Sequence, residues 1–292
     1  MSDVAPEAMS DEPITVERLV SDLRELGLSA GDTVFVHSSL SALGWVCGGP
    51  AAVVDALQRT VTEAGTLVLP TFTGDYSDPS GWQNPPVPDE WEPTIRETMP
   101  AFRPESTPCP RIGAIPNTFR SYPGVVRSDH PVVSFAAWGA DAEAIVRPHP
   151  DDEPLGEGTP LARLYDHDAS VLMLGTDYET ATSCHLAEYR GEFPTERETG
   201  GGPAIRDGER IWLAFDDVAL DTSDFPLVGD AFEAERPAAV TVGRVGEAES
   251  RLVDQRALVD FAETWFGENR PESLERAADD ADETSSTDGE SA

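Results

Sequence analysis

Val16, Leu19, Val20, Leu23 and Leu26 recur at helical spacing up to Gly27, which predicts an amphipathic first helix that stops there. The stretch Thr33 to Val36 reads as a strand. Val53, Val54, Leu57 and Val61 predict a helix over Pro50 to Thr62, and Thr66 to Leu69 reads as a second strand closed by Pro70. Strand, helix and strand in this order imply a parallel βαβ unit, and so an α/β fold. Short helices are expected at Asp141 to Val146 and at Pro160 to Tyr165, the second capped by Thr159 with Pro160 at its first position. Val171, Leu172, Met173 and Leu174 form an uncharged run ended by Gly175 and Asp177, the pattern of a buried strand entering a turn. A helix follows, with Thr180 or Thr182 as its cap. Later strands are expected at Ile211 to Phe215 and Ala239 to Val242, then a helix from Asp254 to Phe266. Gly74 to Pro93 has no period. It carries Pro79, Pro85, Pro86, Pro88, Trp82 and Trp91, and reads as a long functional loop.

At 292 residues the chain can bury a full core, and one large α/β domain is the favoured reading. Its charge is extreme: 55 acidic residues against 20 basic ones give a net charge of −35, and every basic residue is Arg. Acid-rich surfaces without lysine suit concentrated salt, where carboxylates keep a protein hydrated and ions screen their repulsion. A halophilic source is therefore expected. Nucleic acid is excluded as a partner, because phosphate contacts need clustered Arg or Lys. Cys47, Cys109 and Cys184 are widely spaced and odd in number, which suggests neither a disulfide frame nor a zinc site and fits a reduced cytoplasm. No apolar run approaches membrane-spanning length. Residues 1–13 read as a loose acidic leader, 14–267 as the folded domain, and 268–292 as a disordered acidic tail.

Chemistry concentrates after the Val171–Leu174 run. A cap at Thr182 puts His185 at the third helical position with Glu188 three residues on, so the two can share a face. Crevices at the carboxyl ends of sheet strands bind ligands, and an imidazole with an ordinary pKa of about 6.5 suits general base work. Cys184 reads as a buried, inert thiol. The turn His37, Ser38, Ser39, Leu40, Ser41, Ala42, Leu43, Gly44 follows the first strand and suits an extended polar ligand, with no nucleophile elbow. Arg103, Arg111, Arg120 and Arg127 face a single acid, Glu105, within residues 98–128, a setting for an anion or for carboxylates elsewhere in the chain. Gly200, Gly201 and Gly202 read as a flexible surface loop. His130 and His149 read as structural.

Six segments in order carry a resemblance. They are the His37–Gly44 turn, Pro70-Thr71-Phe72-Thr73, Gly113 through Arg120, Arg127-Ser128-Asp129-His130-Pro131 continuing to Ser134 and Gly139, Thr159-Pro160-Leu161 with Arg163-Leu164, and Gly175 through Glu188. Across about residues 15–265 the chain resembles the aminoglycoside 3-N-acetyltransferase family, which is distinct from the common GNAT fold. The resemblance implies a three-layer α/β/α architecture with a central, mostly parallel sheet. It also implies acetyl-CoA as donor, a small-molecule amine of a deoxystreptamine-type sugar or similar polyamine as acceptor, and no metal. His185 would be the general base, oriented by Glu188 or by a carboxylate from elsewhere, with direct transfer and no acyl-enzyme. His37, Ser38, Ser39, Leu40, Leu43, Gly44 and Thr71 would line the cofactor, with backbone N–H groups of the Ser38–Leu43 turn along the pantetheine arm. Arg111, Arg120 and Arg127 would hold the CoA phosphates. Asp75, Asp78, Trp82, Asp129 and Glu192 would face the acceptor. A thioesterase-like hydrolase and a non-catalytic CoA or polyamine-binding module are the competing readings, and assembly, homodimer included, stays open.

Overall fold

The computed structural model describes residues 10–193 and 195–270. In chain order the elements are α1 (Val16–Glu25), β1 (Thr33–Ser38), α2 (Gly49–Val61), β2 (Thr66–Pro70), α3 (Glu92–Thr98), α4 (Ala114–Phe119), β3 (Val126–Arg127), β4 (Phe135–Gly139) and α5 (Ala142–Val146). There follow α6 (Pro160–Asp166), β5 (Ser170–Leu174), α7 (Ser183–Arg190), β6 (Arg197–Arg206), β7 (Glu209–Val218), α8 (Phe225–Glu235), β8 (Val240–Val245), β9 (Ala248–Asp254) and α9 (Gln255–Asn269).

One sheet organises the molecule, in the order β3-β4-β2-β1-β5-β9-β8. Its middle strands are apolar without interruption because both faces are covered. Val34 and Val36 of β1 face one apolar cluster with α1, α2 and α4, while Phe35 faces the other with α5 to α9. Helix, sheet and helix make the three layers. Parallel pairing, expected for most of the sheet, is confined to β2, β1 and β5, and the other four of the six strand pairings are antiparallel. At one flank β8 turns straight back into β9 through Gly246 at φ +60°, an antiparallel hairpin, whereas the parallel pairs β1–β2 and β1–β5 are joined by longer crossovers.

Three expectations change. Gly200, Gly201 and Gly202 are not a surface loop: they lie within β6, paired to β7 in a separate hairpin. A side chain at Gly200 would run into the Phe215 ring, and one at Gly201 would come 2.7 Å from Trp212 Nε1. Aromatic rings occupy the space that these glycines leave. The segment after Gly74 is aperiodic only to Trp91, wound into three short 3₁₀ turns, and α3 starts at Glu92. Finally, the folded domain passes 267, since α9 runs to Asn269 and Arg270 is buried. Residues 1–9 of the expected leader and 271–292 of the expected tail lie outside the described residues.

Candidate active site

The carboxyl ends of β1 and β2 and the turn after β5 open onto a cleft of about 220 Å³, lined by His37, Ser38, Phe72, Arg111, Thr176 and Thr182 among others. Three buried polar atoms here have no hydrogen-bond partner: His37 Nε2, Ser38 Oγ and Thr176 Oγ1. Buried polar groups are normally paired, so such a cluster at a cleft marks a place for ligand atoms. Burial presses the His37 pKa down to about 3, helped by the charge of His185, so His37 is a neutral imidazole at working pH.

α7 begins beside this cleft. Thr182 stands at the cap position, but its backbone is helical (φ −49°, ψ −26°) and its side chain makes no capping bond. The preceding turn is already wound: Cys184 N–H donates to Ala181 O and His185 N–H to Thr182 O, so carbonyls take the donors a side-chain cap would serve. Thr182 is left to line the cleft. His185 is the third helical residue, 12% exposed at its side chain, with Nδ1 2.5 Å from Glu188 Oε2. Phe225 packs against the imidazole, ring centroids 5.0 Å apart. Glu188 is itself buried, and its other oxygen accepts from Arg270 Nη1 at 2.6 Å and from the Asp221 N–H at 3.0 Å. Among the described residues Glu188 is therefore the carboxylate on His185, and it engages Nδ1 rather than Nε2. Burial raises the Cys184 thiol pKa, with Glu188 adding to it, so the neighbouring sulfur is an inert thiol.

Several residues expected at the cofactor are committed to the fold. Arg127 is 3% exposed, and its guanidinium donates to Thr71 Oγ1 (3.0 Å), Ser134 Oγ (3.0 Å), Thr71 O (2.6 Å) and Thr107 O (2.6 Å). It is unavailable to a phosphate. Thr71 is fully buried in the same network and donates to Ser134 O. Leu43 belongs to the core, and Leu40 packs against that core. In the His37–Gly44 turn the Ser39 N–H donates to Leu174 O and the Ala42 N–H to Ser39 O, so these two donors are closed to a ligand. Ser39 Oγ pairs with Ser41 Oγ, and Gly44 supplies the φ of +88° that ends the 3₁₀ turn Leu40–Leu43. Arg120 Nε donates to Asn117 Oδ1. Of the three arginines expected at the CoA phosphates, Arg111 is the one that lines the cleft, in an exposed ion pair with Asp75.

A second hollow, about 500 Å³, is lined by Asp75, Trp82, Gln83, Asn84 and Arg111, and so meets the first cleft at Arg111. Trp82 donates from Nε1 to Ser77 Oγ. Asp78 does not serve this hollow: both its oxygens bind Arg96, and that pairing holds its pKa down at about 2. Asp129 and Glu192 are exposed. His130 and His149 are buried and neutral, pressed down to about 3 and about 4 by burial. Each donates through Nε2 to a carbonyl, Asp151 O and Pro154 O respectively, so both are structural. Sequence reasoning singled out neither Thr176 in the cleft wall nor, at the Glu188 carboxylate, Arg270. Its only signal is a basic residue just beyond the last apolar helix period, and the acidic stretch around it hides that.

No group of His, Cys, Asp and Glu among the described residues is arranged to hold a metal ion, and no helix among them is long and apolar enough to cross a membrane. Residues 35–267 match the family described as aminoglycoside 3-N-acetyltransferase. The chain is 46% identical over 266 residues to the SPbeta prophage-derived aminoglycoside N(3')-acetyltransferase-like protein YokD of Bacillus subtilis, covering 90% of this chain and 96% of that protein. It is 38% identical to aminoglycoside N(3)-acetyltransferase VII of Streptomyces paromomycinus, covering 92% and 96%. The crystal structure of YokD superposes with a TM-score of 0.87 over 90% of this chain and 97% of that one, and an AAC-IIIb binary complex with CoASH, 31% identical, does so with 0.78 over 88% and 97%.

Proposed function

Because this chain belongs to the aminoglycoside 3-N-acetyltransferase family, we propose that it moves the acetyl group of acetyl-CoA onto a 3-amino group of a 2-deoxystreptamine aminoglycoside or a similar polyamine, with His185 as general base. The observation that carries this reading is the buried His185–Glu188 pair on the first turns of α7, one turn past the cleft wall at Thr182. An acceptor amine is largely protonated near neutral pH and cannot attack until it loses a proton. That first proton goes to solvent, and His185 Nε2 takes a second one from the neutral amine as its nitrogen bonds to the thioester carbonyl carbon. Glu188 stabilises the imidazolium that forms. The carbon–sulfur bond then breaks, the CoA sulfur leaves with a proton returned by His185, and the products are amide and free thiol. Ser38 Oγ and Thr176 Oγ1, buried without protein partners, are the hydroxyls available to the developing oxyanion. Arg111 is the cleft's candidate for a CoA phosphate, in competition with Asp75. A working place in the reduced, salt-rich cytoplasm of a halophile fits the net charge of −35 and the three free cysteines.

Thiol release from acetyl-CoA in multimolar KCl, with a panel of aminoglycosides and simple polyamines, tests the reading. Acceptor-dependent release that disappears in His185→Ala supports it. Release without acceptor would make the protein a thioesterase, and CoA binding with no release for any amine would make it a binding module.

A further inference from the structure

We infer that Arg270 is a positioning residue for the reaction: it anchors Glu188 against His185 Nδ1 and offsets the negative charge of the carboxylates gathered there. The inference rests on the reading of His185 as general base.

Arg270 follows the last residue of α9, beyond the stretch 35–267 that matches the family. It is 8% exposed. A buried guanidinium is costly unless its donors are matched, and here the matches converge on one place. Nη1 donates to Glu188 Oε1 at 2.6 Å, Nε and Nη2 grip Asp224 at 2.9 and 2.8 Å, and Nη2 also donates to Asp221 O at 2.8 Å. Its plane lies over the Phe266 ring, 3.7 Å from the centroid, which fixes the fork's orientation. α7, the β7–α8 connection and the end of α9 are thereby tied at the carboxylate that holds His185.

The titratable and charged groups facing the pair are His37 from β1, Cys184 and Tyr189 on α7, Asp217 of β7 behind the Tyr189 hydroxyl, Asp221 and Asp224 before α8, and Arg270. His37 and Cys184 are uncharged. Glu188, Asp221 and Asp224 are negative and Arg270 is positive, so the guanidinium offsets part of the negative field around the ring. Removing Arg270 leaves excess negative charge that favours the imidazolium, while removing the charge of Asp224 does the opposite.

The test is the titration of the His185 ring, followed by NMR in the ligand-free full chain and assigned by the signal lost in His185→Asn. Arg270→Gln is expected to raise the His185 midpoint by about 0.5–1 unit, and Asp224→Asn to lower it by a similar amount. Arg270→Lys keeps the charge without the fork, so its midpoint stays near the parent's while kcat falls. If Arg270→Gln does not fold, as near-UV circular dichroism would show, the Asp224→Asn and Arg270→Lys pair still decides the matter. Midpoints that stay put in the folded Gln and Asn variants, or that move in the same direction, overturn the inference. The titration needs no acceptor. Shifted midpoints in a protein that acetylates nothing would therefore sink the general-base reading and leave the role of Arg270 in the cluster standing.

Discussion

His185 and the carboxylates of the 74–91 segment are held in opposite ways. At α7 His185, Glu188, Arg270 and Asp224 are buried or half-buried, each partnered by the next. In the 74–91 segment Asp75 and Asp78 are more exposed, and each is closed upon an arginine. In a chain with 55 acidic residues, an acid near a cleft is the ordinary condition of the surface. What separates function from background is burial without full satisfaction: an imidazole with one nitrogen fixed and the other left for chemistry, beside hydroxyls that have no partner.

The sharpest way to break this contrast is on the α7 side. His185→Asn should lower kcat by about 10²–10⁴-fold with acetyl-CoA binding retained, measured by thiol release and by titration calorimetry. Unchanged turnover would remove the distinction altogether. Arg127→Leu comes next, acting on stability. It strands the carbonyls of Thr71 and Thr107 and should cost about 3–5 kcal/mol in urea unfolding, with the KM for acetyl-CoA unchanged in the folded protein. A raised KM without lost stability would restore Arg127 to the phosphates.

Acid provides the third test. His37, His130 and His149 titrate in the fold at about 3, about 3 and about 4, below the ordinary value of 6.5. The unfolded chain therefore binds more protons than the folded one between these values, and stability must fall as pH drops below 6.5. The loss between pH 6.5 and 5 should reach about 2 kcal/mol per histidine at most, read from denaturant midpoints at fixed salt. A flat profile would contradict the neutral burial of the three rings. Gly201→Ala should then cost about 1–3 kcal/mol by pressing on Trp212, with kcat unaffected. The smallest effect belongs to Asp78→Asn, about 1 kcal/mol from the Arg96 pair and no change in acceptor KM. A tenfold KM increase there would return Asp78 to the acceptor side.

The strands of the parallel core were legible because double-sided burial writes unbroken apolar runs such as Val171 to Leu174. His185 and Glu188 were legible because helical spacing is a local rule. Strands β3, β4 and β9 and helix α8 were not anticipated, since β3 spans two residues, β4 is rich in Ala, and β9 mixes charged and apolar residues one strand in from the sheet edge. Arg127 misled because its sequence neighbourhood is basic, whereas its partners are carbonyls brought in from residues 71 and 107. The glycine triplet misled for a similar reason: the rings beside Gly200 and Gly201 come from the facing strand, and Gly202 meets Tyr76, Pro131 and Val132. Non-local partners decide each of these cases, and spacing along the chain carries no record of them.

Arg270 has a further consequence for how the protein is made. Synthesis runs from the N-terminus, and β1, β2, β5 and α7 all emerge before the residue that ties Glu188 in place. The nascent chain can thus build its ligand cleft early, yet its imidazole–carboxylate pair stays unfastened until α9 has been translated through its end. A chain that stops just short of residue 270 keeps every strand of the sheet and the His185–Glu188 pair, and lacks only at its end the guanidinium that ties Glu188 to Asp224.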